Sequence, residues 1–529
     1  MKQNMSSINP NQDPDFQSNV KIVGSIVIFI SPFLILLLLE IILFFASNLT
    51  DSTLFENKIQ TDQRAGNSFW VSTVHQPKFI SDLQSDKKKI AIFGGSSAYG
   101  YGAPLGLNDF IQSSNKTYIV HNYSMLGQPF VGFQDELLNI VIGYYDHLII
   151  YSGHNEIYSH LLKKSKDVGI DFGVPYGEDL DSASVFRAHE LKKETLISKI
   201  NLLEGNSINI RSFTLRITNY LLYKSRVVNF FYRSWWKFVG SKKQVDNQNS
   251  SNNDKTPYYL NKPFLSSSDR NEIVKRYKES INNIFLKLSK NQSLILLTVP
   301  ANDLYPPSSD YAFKVDLESA NSYLDSLYLS LEKNKKFEIE DLNSIPDGAH
   351  KLYLSALECT NFFEDLNKPI NSVCMQEAML ARQKDGIPFR VLPSLNESIR
   401  NMVRPSNVLI LDFENKFNKY TKEIYLNSFI DFQHPSSLGH AFIAEEILRH
   451  ITKNKELKIS LINKCGEYRI ITSENENNFK TAKDKYQHSS MVNAGWLKSF
   501  IQNFHSNYMH KYYLEKVNQN LDYCSISKS

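Results

Sequence analysis

Five short apolar runs recur along the chain, each closed by glycine or polar residues: Lys87 to Phe93, Tyr118 to Tyr123, His147 to Tyr151, Leu294 to Val299 and Val408 to Asp412. Continuous runs of this length predict strands buried on both faces. Between them the apolar spacing becomes helical. It predicts a helix over Phe133 to Tyr145, one from the Ser266-Ser267-Ser268-Asp269 cap to about Leu288, and one from about Ala441 to Ile451. Strands alternating with helices describe an open α/β sheet. In such sheets ligands bind just beyond the C-terminal ends of the strands. Polar clusters stand at three of those ends: Gly94-Gly95-Ser96-Ser97, Ser124-Met125-Leu126-Gly127-Gln128 and Ser152-Gly153-His154-Asn155-Glu156. They are expected to converge on one edge.

The pattern is interrupted twice. From Ile157 to Pro263 the strands disappear, and Leu191 to Phe238 is amphipathic and aromatic, with Arg211, Arg216, Arg226 and Arg233 spread through it and Trp235-Trp236 near its end. This predicts a helical insertion, either a buttress over the sheet or a lid or membrane-facing surface. Lys242 to Lys255 is polar and of low complexity, the composition of a disordered loop. A second helical insertion runs from Tyr311 to Met402, through Leu317 to Asn334, Ser344 to Asn367 and Val373 to Asp385. Its small residues, Ala356, Ala378 and Ala381 among them, give a weak likeness to tetratricopeptide hairpins without a repeat of that period. After Cys465 the tail is polar apart from an aromatic stretch, Trp496 to Leu514.

One apolar run is of another kind. Ile22 to Phe45 is 24 residues long and is broken by little besides Ser25, Ser31 and Glu40. As a helix it reaches across the roughly 30 Å of a bilayer core, and it exceeds the apolar region of a secretory signal. An uncleaved anchor is expected, with cleavage near Ala46-Ser47-Asn48 the alternative. Lys2 and Lys21 precede the run and no Lys or Arg follows until Lys58, which puts the N-terminus inside and the large domain outside the cytoplasm. The expected organisation is a cytoplasmic segment 1–21, an anchor 22–45, a connector 46–86 and an α/β domain in three pieces, 87–156, 264–302 and 406–455. The insertions 157–263 and 303–405 separate those pieces, and a tail 456–529 ends the chain.

Composition changes this picture little. The net charge of +4 on 529 residues, without an arginine-rich arm or zinc-finger spacing, argues against nucleic acid as a partner. Four cysteines lack any CxxC pairing, so a zinc site is not expected. In an exported domain Cys359–Cys374 and Cys465–Cys524 are candidate disulfides; four free thiols fit the sequence equally. No cofactor is implied.

The polar clusters carry candidate chemistry. A serine hydroxyl is a poor nucleophile until a base takes its proton, and the base works best when a carboxylate holds its tautomer. Ser96 sits in a glycine-rich strand-to-helix turn that would lift its hydroxyl above the sheet. Its spacing to Gly100 marks it rather than Ser97. Asp431 and His434, three apart, can share one face of a tight turn. The backbone N–H groups of Ser96 and Gly127 and the amide of Asn155 are candidate donors for an oxyanion. His154 reads as a structural or substrate-side residue rather than a second base, and His440 as one that caps or packs within the following helix.

These residues resemble the SGNH hydrolase superfamily, the GDSL-type lipases and esterases. Phe93 to Gly100 resembles its first block, Asn122 to Gly127 its second, Gly153-His154-Asn155-Glu156 its G-x-N-D block, and Asp431-Phe432-Gln433-His434 its terminal D-x-x-H. The resemblance implies a flavodoxin-like three-layer α/β/α fold with a five-stranded parallel sheet. It makes Ser96 the nucleophile, His434 the base, Asp431 its orienter, and Ser96, Gly127 and Asn155 the oxyanion donors. Two positions depart: Gly95 and Glu156 stand where the family has aspartate. The expected activity is ester hydrolysis through an acyl-serine, on an acyl group of an envelope or extracellular glycan. Transfer of the acyl group to a sugar hydroxyl by the same site is the alternative. So is a non-catalytic membrane-anchored scaffold that binds a protein partner through the helical insertions.

Overall fold

The computed structural model describes residues 73–75, 78–167, 182–204, 265–307, 347–360, 367–464, 467–472 and 481–483, a few single positions excepted, with residues 35, 38 and 39 besides. The chain divides into two compact units, Met1–Thr61 with Thr214–Asp246, and Asp62–Phe213 with Asn247–Ser529; every element below belongs to the second.

Helix α1 (Phe79–Gln84) leads into β1 (Lys88–Gly94), whose exposed lysine gives way to Ile90, Ala91, Ile92 and Phe93, all fully buried. Burial on both faces explains the unbroken apolar run. The single turn α2 (Ser96–Tyr99) and helix α3 (Leu107–Ser114) bring the chain to β2 (Tyr118–Asn122). An irregular turn, Phe130–Gln134, with Gly132 at φ 79°, precedes α4 (Asp135–Val141) and β3 (His147–Tyr151). Then come α5 (His154–Asp167), α6 (Ser182–Leu203), α7 (Ser267–Phe285) and β4 (Ser293–Thr298). Helices α8 (Ala349–Cys359), α9 (Ser372–Lys384) and α10 (Pro393–Arg400) lead to β5 (Val408–Asp412). Two short helices, α11 (Phe413–Phe417) and α12 (Lys422–Asn427), precede α13 (Ser437–Thr452).

The five strands form one parallel sheet in the order β2-β1-β3-β4-β5. The chain moves from β1 to β2 on one side and returns to β3 on the other, so β1 is the switch point at which such sheets open a crevice. In register, Ile90 lies between Val120 of β2 and His147 of β3. Helices α3 and α13 pack together, and α4, α5, α7 and α10 pack among themselves, so the sheet is flanked by helices in a three-layer α/β arrangement.

Most differences from the expected elements lie at boundaries. Helix α13 begins at Ser437 rather than near Ala441, because Ser436 Oγ caps it by accepting the Gly439 N–H at 3.3 Å. The end of the expected connector belongs to the core: Phe79 and Val74 are fully buried, and Thr73 Oγ1 accepts the Asn122 N–H at 3.0 Å. In the second insertion α8 and α9 form a hairpin closed by a Cys359–Cys374 disulfide, with Ala356, Ala378 and Ala381 buried. The tail holds an antiparallel sheet that was not expected, β6 (Ile459–Lys464), β7 (Glu467–Thr472) and β8 (Thr481–Lys483), with β6 against α13.

The Ile22 to Phe45 run lies outside the described residues but for Ile35, Leu38 and Leu39. So do most of Leu191 to Phe238, all of Lys242 to Lys255, Leu317 to Asn334 and Trp496 to Leu514, and both Cys465 and Cys524. Among the described residues no helix is long and apolar enough to cross a membrane.

Candidate active site

The serine turn is built by close approach. A Cβ on Gly94 would lie 2.1 Å from the Tyr151 carbonyl oxygen, and one on Gly95 would lie 2.1 Å from Asn155 Nδ2. Residues 94 and 95 are therefore glycine so that the end of β3 and the Asn155 amide can reach the turn. Helix α2 then starts at Ser96 and stops after one turn at Gly100, whose left-handed φ of 85° ends it.

The other half of the site comes from the loop between α12 and α13. Ile430 N–H donates to the His434 carbonyl at 2.8 Å and closes Asp431-Phe432-Gln433-His434 into a tight turn. Asp431 Oδ1 accepts the backbone N–H groups of Gln433 and His434, each at 2.8 Å. Its Oδ2 lies 2.6 Å from His434 Nδ1. Burial works against the Asp431 charge, but His434 and those N–H groups more than offset it and hold the carboxyl below its ordinary range. An ionised Asp431 keeps the imidazole proton on Nδ1 and leaves the Nε2 lone pair outward. That lone pair lies 2.8 Å from Ser96 Oγ, across 338 residues of sequence. Ser96 is 2% exposed and His434 not at all. Ser97 is engaged elsewhere, its hydroxyl donating to the Gln433 carbonyl at 3.2 Å.

The expected oxyanion donors gather beside this chain. Asn155 sits in the first turn of α5 with Nδ2 against Gly95 and donates to the Gln128 carbonyl at 2.9 Å. Gly127, with φ of 67°, immediately precedes Gln128, so the amide holds the loop that carries Gly127. Glu156 supports the same loop from the other side. Its Oε1 accepts the Phe130 N–H at 2.7 Å and the Ser152 hydroxyl at 2.9 Å, and burial raises its pKa to about 7. The two departures from the SGNH pattern thus have local reasons: Gly95 makes room for Asn155, and Glu156 ties the loop after β2 to the turn after β3.

No known protein family, curated protein or solved structure matches the chain.

His154, between Gly153 and Asn155, accepts the Val391 N–H on Nδ1 at 2.8 Å. Burial, then the neighbouring His434, Arg382 and Arg390, keep it well below the ordinary histidine range and therefore neutral. His440 is buried in α13 near Gly100. Glu136, His189 and Glu190 have ligand atoms within 4.8 Å of one another, but Lys193 Nζ lies 2.6 Å from Glu136 Oε2, an ammonium where a metal cation would go.

Several supports were not foreseen. Asn302, in the loop after β4, donates its N–H to the Phe432 carbonyl at 3.1 Å and its side chain to the Asp431 carbonyl at 3.3 Å. Arg390 donates to the Asn302 and Tyr305 carbonyls, both at 2.8 Å. Arg382 of α9 is wholly buried, 2.7 Å from Asp303 and 2.5 Å from Glu414. Lys192 of α6 is buried with its ammonium on the Tyr123 carbonyl, and burial lowers its pKa to about 7. Charged residues in a helical insertion read as a solvated face; only long-range packing distinguishes these. Gln433 is the other omission, since the D-x-x-H pattern leaves its position open.

Proposed function

We propose that the chain is a serine hydrolase of SGNH type that cleaves an ester through an acyl-serine intermediate. The observation that carries this is the continuous Ser96–His434–Asp431 chain, 2.8 Å and 2.6 Å at its two links, at the C-terminal edge of a parallel sheet. In this reading His434 Nε2 takes the Ser96 proton as Oγ attacks the acyl carbonyl, and Asp431 stabilises the imidazolium. The developing oxyanion meets the N–H groups of Ser96 and Gly127 and the Asn155 amide. His434 returns the proton to the leaving alcohol, and water then releases the acyl group by the reverse sequence. The strand order supports the flavodoxin-like class of sheet. The Ile22 to Phe45 run supports a single N-terminal transmembrane anchor with the hydrolase domain outside the cytoplasm. An acylated envelope or extracellular glycan is the substrate class consistent with that placement. No cofactor enters the mechanism.

The near-complete burial of Ser96 and His434 favours one second reading, transfer of the acyl group to a sugar hydroxyl, because a dry acyl-serine survives to meet a second alcohol. The test is hydrolysis of a short-chain p-nitrophenyl ester by the full chain in detergent, with and without a sugar acceptor. Ser96→Ala and His434→Ala are each expected to lower kcat by about 1,000-fold or more. Release that is unchanged in both folded variants would sink the serine mechanism and leave the scaffold reading.

A further inference from the structure

Two consecutive residues of the second insertion reach both halves of the site. Val391 donates its N–H to His154 Nδ1 at 2.8 Å, and its carbonyl accepts from Arg382 Nη1 at 2.8 Å. Its side chain presses on the residue before His154: a Cβ on Gly153 would lie 2.8 Å from Val391 Cγ2 and 3.1 Å from Leu395 Cδ2. Position 153 is therefore glycine so that the insertion can lie against the turn that presents Asn155. The bond to Nδ1 also fixes the proton of the neutral His154 on Nε2, because an imidazolium there would set an N–H against the Val391 N–H.

Arg390 serves the other half. Its Nη1 donates to the Asn302 and Tyr305 carbonyls, both at 2.8 Å, and so bridges the turn that the Tyr305 N–H closes on the Asn302 carbonyl at 3.1 Å. Asn302 passes the hold on, with its N–H on the Phe432 carbonyl and its side chain on the Asp431 carbonyl. The Ser97 hydroxyl takes the next carbonyl, that of Gln433. Three successive carbonyls of the Asp431–His434 turn are thus held, two of them through Asn302 and Arg390. A guanidinium suits this place, since its planar N–H groups reach two carbonyls at once. Burial works against its charge, and Asp303 and Asp385 offset part of that cost.

We propose that Arg390-Val391 is a strap that keeps the oxyanion turn and the base turn in register, with Arg390 a positioning residue for His434. Val391 fixes the turn that carries Asn155, Arg390 fixes the turn that carries His434, and the single peptide between them sets their separation. The proposal rests on the acyl-serine reading for its effect on rate, and on the geometry alone for its effect on the Asp431–His434 pair.

Arg390→Met keeps much of the side chain's length and removes its donors. In the full chain in detergent it is expected to lower kcat for a p-nitrophenyl ester about 100-fold with KM within about twofold, the cost of a displacement on the order of 1 Å. Arg390→Lys keeps the charge and N–H donors, and should recover about tenfold of that loss. His154→Leu cuts the strap at its other end. The double variant should lose little more than the worse of the two singles, because a strap already cut holds nothing in register. A readout free of turnover comes from the His434 Nδ1 proton held by Asp431. Its downfield 1H resonance in Ser96→Ala should shift or broaden when Arg390→Met is added, and return with Arg390→Lys. Should Arg390→Met not fold, Asn302→Ala cuts the same path nearer the turn and takes its place in every measurement. Wild-type kcat in the folded variant, losses that multiply in the double variant, or an unmoved resonance would each overturn the proposal. If wild type shows no acyl chemistry but the resonance moves as expected, the acyl-serine reading has failed and the positioning stands.

Discussion

Gly95, Asn155 and Glu156 bear on the proposed oxyanion site at the scale of single atoms. The space a Cβ at residue 95 would need is already held by Asn155 Nδ2. Gly95→Ala should therefore displace the amide and lower kcat toward the level of Asn155→Ala. That loss is about 100- to 1,000-fold for one oxyanion donor. Full activity in Gly95→Ala would mean that Asn155 does not meet the transition state. Glu156 makes a prediction about stability. Burial raises its folded pKa from 4.5 to about 7. Between those values the folded protein holds a proton that the unfolded chain has released, so stability falls as pH rises through the window and the penalty is complete above it. The magnitude is on the order of 3 kcal/mol. Glu156→Gln cannot ionise, so its melting temperature relative to wild type should rise between pH 5 and pH 8. A difference that stays constant with pH would show that Glu156 is already ionised in the folded protein at low pH.

At the scale of elements, the helical insertions are part of the site's support. The α8–α9 hairpin delivers Arg382 to Asp303 and Glu414, and the segment after it supplies Val391 to His154 and Arg390 to the loop after β4. That loop in turn holds the Asp431 turn through Asn302. Burial lowers the Arg382 pKa, and the two carboxylates more than reverse it, so the guanidinium stays charged. Arg382→Met removes the ion-pair partner of buried Asp303, while Glu414 keeps Arg400, and should cost about 3–5 kcal/mol. Thermal melting with Asp303→Asn as partner variant checks this, the double variant costing less than the two singles combined. Additive losses would mean the two groups are not coupled. The sequence pattern placed α9 to within one residue and spanned α8, but it did not single out α10 and gave none of their partners. The β6–β7 pair carries a legible alternation, Ile459, Leu461 and Tyr468, Ile470, which the polar composition of the tail around it obscured.

For the whole molecule, the five strands were readable because each is buried on both faces and so is apolar throughout. Their order was not readable from the hydrophobic pattern; only the resemblance to a flavodoxin-like class implied it. Which strand lies beside β1 depends on the handedness and packing of crossovers whose local sequence says only that they are helical. The order matters chemically, since it places the ends of β1, β2 and β3 side by side and so brings Gly94, Gly127 and Asn155 to one crevice.

Local chemistry in the sequence was enough to determine the five strands, the glycine turn that presents Ser96, and the pairing of Asp431 with His434, because each depends on residues within a few positions of one another. Only the tertiary structure decided what spans the chain. It set Ser96 against His434 across 338 residues, made Gly95 a necessity of Asn155, and buried Arg382 among carboxylates from two other elements. It also turned the Gln433 side chain toward His434. The physical reason is that hydrophobic periodicity encodes which face of an element is buried, whereas a hydrogen bond between distant side chains depends on how the buried faces meet.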